Sequence, residues 1–268
     1  MLKMFGWLLL AVTAATGAAA STTVLQIPVA PVLDTRIPAR PIPARLWLPD
    51  GAGPFPVIIL LHGCGGIGTG VQLEDWSQRV MRWGYAAVIP DSLGPRAVPT
   101  VCAPANQPKV TGMDRAGDVI NTALFLRTLP QIDGQRIAVI GFSHGGGTAV
   151  AVTRQAFERL QPGLIKASVD YYGPCREPTS HGRVPLLALA GDADDWGNPA
   201  KTCAAFGQVM RPDQPFELAT YRDAVHAFDN AALMVQRINE GHKLLYDRSA
   251  AEDSFGRVRT FLDRWVRK

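Results

Sequence analysis

The sequence predicts one α/β domain, a mostly parallel sheet covered by helices on both faces. Two observations carry this. Continuous apolar runs such as Pro56-Val57-Ile58-Ile59-Leu60-Leu61 mark strands buried on both sides. These runs alternate with segments of helical periodicity, the pattern of parallel strands joined by crossover helices. No linker, repeat or low-complexity tract follows Ser21, so residues 21–268 read as a single domain.

Val24 to Leu33 and Ile42 to Leu48 read as short strands in a Pro-rich entry segment. The run ending at Leu61 is the first buried strand, and Val71 to Trp83 has a helical pattern. Tyr85 to Ile89 is the next strand. Asp114 to Leu129 fits a helix, with Ala116, Val119, Ile120, Ala123, Leu124 and Leu126 on its apolar face. Arg136 to Ile140 is a strand that runs into a helix from about Ser143. Lys166 to Tyr171, Pro185 to Ala190 and Phe216 to Tyr221 are further strands, and Ser254 to Val266 closes the chain as an amphipathic helix. In sheets of this kind ligands bind beyond the C-terminal strand ends, so function is sought in the loops there.

Residues 1–20 stand apart. Lys3 is followed by the apolar stretch Phe5 to Val12 and by Ala18-Ala19-Ala20, the pattern of a secretory signal peptide cleaved before Ser21. The strongly apolar part is too short for a membrane span, and no Cys precedes Cys64, which excludes a lipid-modified Cys at the cleavage point. The expected location is periplasmic or secreted, with no membrane attachment in the mature form.

The chain has 268 residues, 27 Lys and Arg against 23 Asp and Glu, and 47% hydrophobic residues. That apolar content excludes a disordered chain. The basic residues are scattered, which leaves no nucleic-acid footprint. Cys64, Cys102, Cys175 and Cys203 form no C-x-x-C pair and have no His at zinc spacing, so no metal site is expected; no cofactor is expected either. In an oxidising compartment four cysteines allow three pairings.

The strongest motif is Gly141-Phe142-Ser143-His144-Gly145, set between a predicted strand and a helix. A serine on that sharp turn projects its hydroxyl from the sheet edge, and the flanking glycines avoid collisions. The nucleophile needs a base to take its proton. Of the five histidines, His226 follows the last strand and completes the chain order Ser, acid, His. His62 ends the first buried strand, where it shapes a loop. His144 neighbours the serine, His181 lies in a Pro/Gly-rich loop, and His242 falls in a polar stretch read as helical. The acid is one of Asp192, Asp194 and Asp195 after the strand ending at Gly191, and spacing does not choose among them. The loop Leu61-His62-Gly63-Cys64-Gly65-Gly66 is the candidate oxyanion loop, with the N–H groups of Cys64 and His144 as the two donors.

Taken together, Pro54-Phe55-Pro56, H-G-C-G-G from His62, Pro90-Asp91-Ser92-Leu93-Gly94-Pro95-Arg96, G-F-S-H-G-G, Tyr171-Tyr172-Gly173-Pro174-Cys175, G-D-A-D-D-W and H-A-F-D-N resemble the dienelactone hydrolase family of α/β-hydrolases. The resemblance runs from about Thr35 to Phe261. It implies the α/β-hydrolase fold with little or no lid, and it selects Asp194 as the acid, three residues after the Gly that ends its strand. Enzymes of the family that open dienelactones carry Cys as nucleophile; with Ser143 the chain looks more like a carboxylesterase acting on a small-molecule ester or lactone.

On the fold so implied, Asp91, Arg96 and Trp196 follow strands on the site's side as candidate substrate contacts. Neighbouring strand ends imply the pairs Cys64–Cys102 and Cys175–Cys203, with a free Cys64 thiol beside the site as the alternative. The rival readings are a secreted serine peptidase of the same fold and a ligand-binding homologue without catalysis.

Overall fold

The computed structural model describes residues 22–69, 71–103, 110–176, 182–210 and 213–267. The expected signal peptide and His181 lie outside them. Eight strands form the main sheet: β1 (Thr22–Ile27), β2 (Ile42–Trp47), β3 (Phe55–Leu61), β4 (Ala86–Pro90), β5 (Ile132–Phe142), β6 (Ala167–Tyr171), β7 (Leu186–Gly191) and β8 (Phe216–Tyr221). Their order is β1-β2-β4-β3-β5-β6-β7-β8. β1–β2 and β2–β4 pair antiparallel, and every other pairing in the main sheet is parallel.

The helices are α1 (Val71–Arg82), α2 (Gly112–Leu126), α3 (His144–Val152), α4 (Gln155–Leu160), α5 (Pro199–Val209) and α6 (Arg248–Trp265). Alternation along β3 divides the core. Ile58 and Leu60 pack with Trp76 of α1 and with Val258, Phe261 and Leu262 of α6. Val57, Ile59 and Leu61 face the other way, toward Val119, Ile120 and Ala123 of α2. Both faces of the central strands are therefore covered, which explains their uninterrupted apolar sequence.

Helix starts follow local chemistry. Thr111 and Asp114 form a reciprocal capping box at the head of α2. The last helix begins at Arg248, earlier than the expected Ser254, because the Asp247 side chain accepts from the Ala250 N–H. The first strand ends at Ile27 and does not reach Leu33, since Pro28 and Pro31 cannot donate to a ladder. Two short strands, β9 (Arg237–Asn239) and β10 (His242–Leu244), form a separate hairpin where the sequence reads as helical.

Cys64 bonds to Cys102 and Cys175 to Cys203, the two pairs expected, with Cα–Cα separations of 4.8 and 4.7 Å. Such crosslinks fit an oxidising compartment. Among the described residues no helix is long and apolar enough to cross a membrane.

Candidate active site

Ser143 sits between β5 and α3 with φ 56° and ψ −117°. This is a strained conformation for a residue with a Cβ, of order 1–3 kcal/mol. The surrounding glycines make the turn possible. A Cβ on Gly141 would overlap the carbonyl of Gly145, one on Gly145 the carbonyl of Leu61, and one on Gly146 the Asp170 carboxylate. The strand, the H-G-C loop and α3 therefore approach at backbone distance, and the serine is held at the sheet's C-terminal rim.

His226, beyond β8, reaches that rim. Its Nε2 lies 3.0 Å from Ser143 Oγ and its Nδ1 2.8 Å from Asp194 Oδ2. Asp194 and His226 are buried, at 3% and 4% exposure, so water competes little for these bonds. The Asp194 Oδ1 also accepts from the Trp196 N–H at 2.9 Å, which fixes the carboxylate. The three acids left open by spacing have separate partners: Asp192 Oδ1 accepts from the Asp223 N–H at 2.6 Å, and Asp195 Oδ1 lies 2.9 Å from His242 Nδ1. An imidazole between a hydroxyl and a carboxylate can take the hydroxyl's proton while keeping its other N–H on the acid.

Around His226 stand two aromatic rings. Tyr172 meets it edge-on at 4.7 Å, and Trp196 lies tilted against it at 4.8 Å. Tyr172 is anchored by donating its phenol to Asp229 Oδ1 at 2.8 Å, and Trp76 Nε1 donates to the same carboxylate at 2.7 Å. Burial raises the Asp229 carboxyl, opposed by the hydrogen bonds from Trp76, Tyr172 and Gln72.

The loop after β3 lies against Ser143: a Cβ on Gly63 would be 3.7 Å from Ser143 Cβ. His62 is buried, donates Nδ1–H to the Gly63 carbonyl at 2.8 Å, and accepts from the Ser92 N–H at 3.3 Å. Both nitrogens are thereby committed to shaping the loop. Burial and the nearby Arg115 charge push this imidazole well below its usual value. The backbone N–H groups of Cys64 and His144 have no acceptor among the described residues, the state required of oxyanion donors.

A cavity of about 340 Å³ opens beside Ser143, walled by Val101, Val110, Met113, Val150, Tyr172 and Trp196, with His144, Arg154 and Arg176 among its polar lining. Trp196 lines this cavity. Asp91 and Arg96 do not, and the expectation that they contact substrate is corrected. The Asp91 Oδ1 accepts from the N–H groups of Leu93 and Gly94 at 3.0 and 2.9 Å, closing a turn. Arg96 grips both carboxylate oxygens of Asp118 at 2.7 and 2.9 Å and also donates to the carbonyls of Ser92 and Arg36. Its guanidinium is spent on structure, and neither residue lines the cavity.

Sequence reasoning missed the His242–Asp195 pair, because the hairpin that carries His242 had no pattern of its own, and it missed Arg115, which sits inside the apolar stretch of α2. Tyr172 stood inside a quoted motif without a role.

An eight-stranded, mainly parallel α/β sheet with a serine at this strand-to-helix turn defines the α/β-hydrolase fold. More specifically, the chain belongs to the dienelactone hydrolase family, whose model matches residues 42–266. Members of that family hydrolyse small esters and lactones. A relative from a Bradyrhizobium species, named "Probable 2-oxo-3-(5-oxofuran-2-ylidene)propanoate lactonase", is 26% identical over 203 residues, 69% of this chain and 78% of its own length. The dienelactone hydrolase of Anabaena variabilis superposes with a TM-score of 0.64 at 16% identity, covering 92% of this chain and 99% of its own. Thermogutta terrifontis esterase 2, solved phosphorylated by paraoxon, gives 0.64 at 16% identity, covering 91% and 94%.

Proposed function

We propose that the protein is a serine carboxylesterase or lactonase acting through a Ser143–His226–Asp194 triad and an acyl-enzyme. The observation that carries this reading is His226 bridging Ser143 Oγ at 3.0 Å and Asp194 at 2.8 Å. Asp194 holds His226 with its proton on Nδ1, which leaves the Nε2 lone pair facing the serine. As Ser143 Oγ forms its bond to the ester carbonyl carbon, its proton moves to His226 Nε2. The oxyanion so formed is met by the N–H groups of Cys64 and His144. The C–O bond to the alcohol then breaks, and His226 returns the proton to that oxygen. Water attacks the acyl-enzyme by the same sequence in reverse and releases the acid.

The lactonase relative and the family membership favour ester and lactone substrates over amides. The two disulfides and the leader-like residues 1–20 favour an exported protein. A panel of p-nitrophenyl esters and peptide anilides, run with a serine-reactive phosphonate, tests the reading. The expected result is ester turnover, with Ser143 labelled and with activity lost by several decades in Ser143→Ala. Undiminished esterase activity in that variant overturns it, anilide turnover above ester turnover favours a peptidase, and inertness toward both favours a binding protein.

A further inference from the structure

The acyl-transfer steps use only the backbone of His144; its side chain is free for another task. One edge of the ring is held by Arg115, whose Nη1 lies 2.8 Å from His144 Nδ1. Arg115 is fully buried, and its Nη2 donates to the His62 carbonyl at 2.7 Å. A guanidinium offers donors and no lone pair, so Nδ1 must be the acceptor and the ring proton sits on Nε2. Burial, and the charges of Arg115 and Arg176, push this imidazole down to about 3, so the ring is neutral at physiological pH. The Nε2–H has no acceptor among the described residues and is not sealed from solvent. His144 is among the residues that line the cavity beside Ser143, together with the apolar Val101, Val110, Met113 and Val150.

His226 is not part of that cavity wall. The leaving alcohol must lie against His226 to receive its proton, so the acyl group is the part that enters the cavity. We propose that His144 reads this acyl group: its Nε2–H, fixed in direction by Arg115, donates to a second, uncharged acceptor oxygen (keto, ether or further ester) carried near the scissile carbonyl. Arg115 is a positioning residue in this scheme. Arg154 and Arg176 reach the same cavity and would attract anionic oxygens by charge alone, so uncharged probes isolate His144.

The proposal rests on acylation of Ser143 and is tested with isosteric ester pairs: p-nitrophenyl methoxyacetate against butyrate, and p-nitrophenyl 4-oxopentanoate against 4-methylpentanoate. Comparing each pair between wild type and variant cancels the intrinsic reactivity of the esters. In at least one pair the preference for the oxygen-bearing ester in kcat/KM should fall about fivefold to tenfold in His144→Phe. It should be partly retained in His144→Gln, which keeps an N–H donor. Equal preferences in wild type and His144→Phe for both pairs overturn the proposal while leaving the esterase reading intact. Turnover of none of the four esters by wild type, or undiminished turnover in Ser143→Ala, overturns both. A readout independent of activity and of either variant's folding is the 15N spectrum of the wild-type imidazole. A neutral Nε2–H tautomer at pH 7 and at pH 5 is expected, and an Nδ1–H form or protonation within that range overturns the proposal.

Discussion

The imidazole of His242 stacks on the indole of Trp196, with ring centroids 5.0 Å apart and planes inclined by only 16°. Trp196 in turn leans on His226, so the β9–β10 hairpin braces the wall of the site from outside. His242 is itself held by Asp195.

Removing that brace should loosen substrate binding more than chemistry. His242→Ala is expected to raise KM about threefold to tenfold with a smaller change in kcat, since a stacked aromatic pair contributes on the order of 1 kcal/mol. Trp196→Ala, which also removes cavity wall, should have the larger effect. Steady-state kinetics on one p-nitrophenyl ester decides both, and a fall in kcat alone would contradict the bracing role.

The three acids after β7 differ in what they hold, and the difference is measurable. Asp194→Asn should lower kcat about 10³- to 10⁴-fold by favouring the wrong His226 tautomer. Asp192→Asn touches only the backbone of Asp223 and should leave kcat within about threefold, as expected of a single surface bond. Equal effects would reassign the acid.

Opening the Cys64–Cys102 crosslink should damage stability and activity together. The bridge closes a loop with a sequence separation of 38, for which chain entropy gives about 3–4 kcal/mol. Cys64 also supplies a proposed oxyanion N–H. The double variant Cys64→Ser with Cys102→Ser should lower both the urea midpoint and kcat, whereas a fall in stability alone would separate the crosslink from the site.

Acid should weigh on His144. The folded imidazole is held far below its unfolded value, so the folded state refuses a proton that the unfolded chain accepts. Stability from the neutral ring is complete above about pH 6.5 and is lost as pH falls below it. Relative to His144→Gln, wild type should lose up to about 1.4 kcal/mol per pH unit between pH 6 and 4. His62 carries the same sign, and the raised carboxyls of Asp118, Asp170 and Asp229 carry the opposite one. All four are present in both proteins and cancel in the comparison. Urea unfolding at three pH values measures it, and a flat difference would place the ring's proton elsewhere.

The buried strands were legible because burial on both faces leaves a mark in every residue, as in Val57 to Leu61. Ser143 and His226 were legible because a turn motif and chain order constrain them. The hairpin was not: its residues Arg237 to Asn239 are exposed and carry no periodic apolar set. Its signature lies in the Glu240-Gly241 turn, where both residues take positive φ of 49° and 85°. Asp91 and Arg96 misled because position after a strand says nothing about which neighbour captures a side chain. Arg96 finds Asp118 on α2, a pairing created only when the chain folds.

The glycines packed under Ser143 divide the site into two kinds of terrain. Exchanging the apolar side chains Val101, Val110, Met113 and Val150 along the cavity for larger or smaller ones should change mainly which acyl groups are accepted. Beneath Ser143 even one added methyl has nowhere to go, so a randomised library of this chain should drift freely in taste while the perch of that serine stays unchanged.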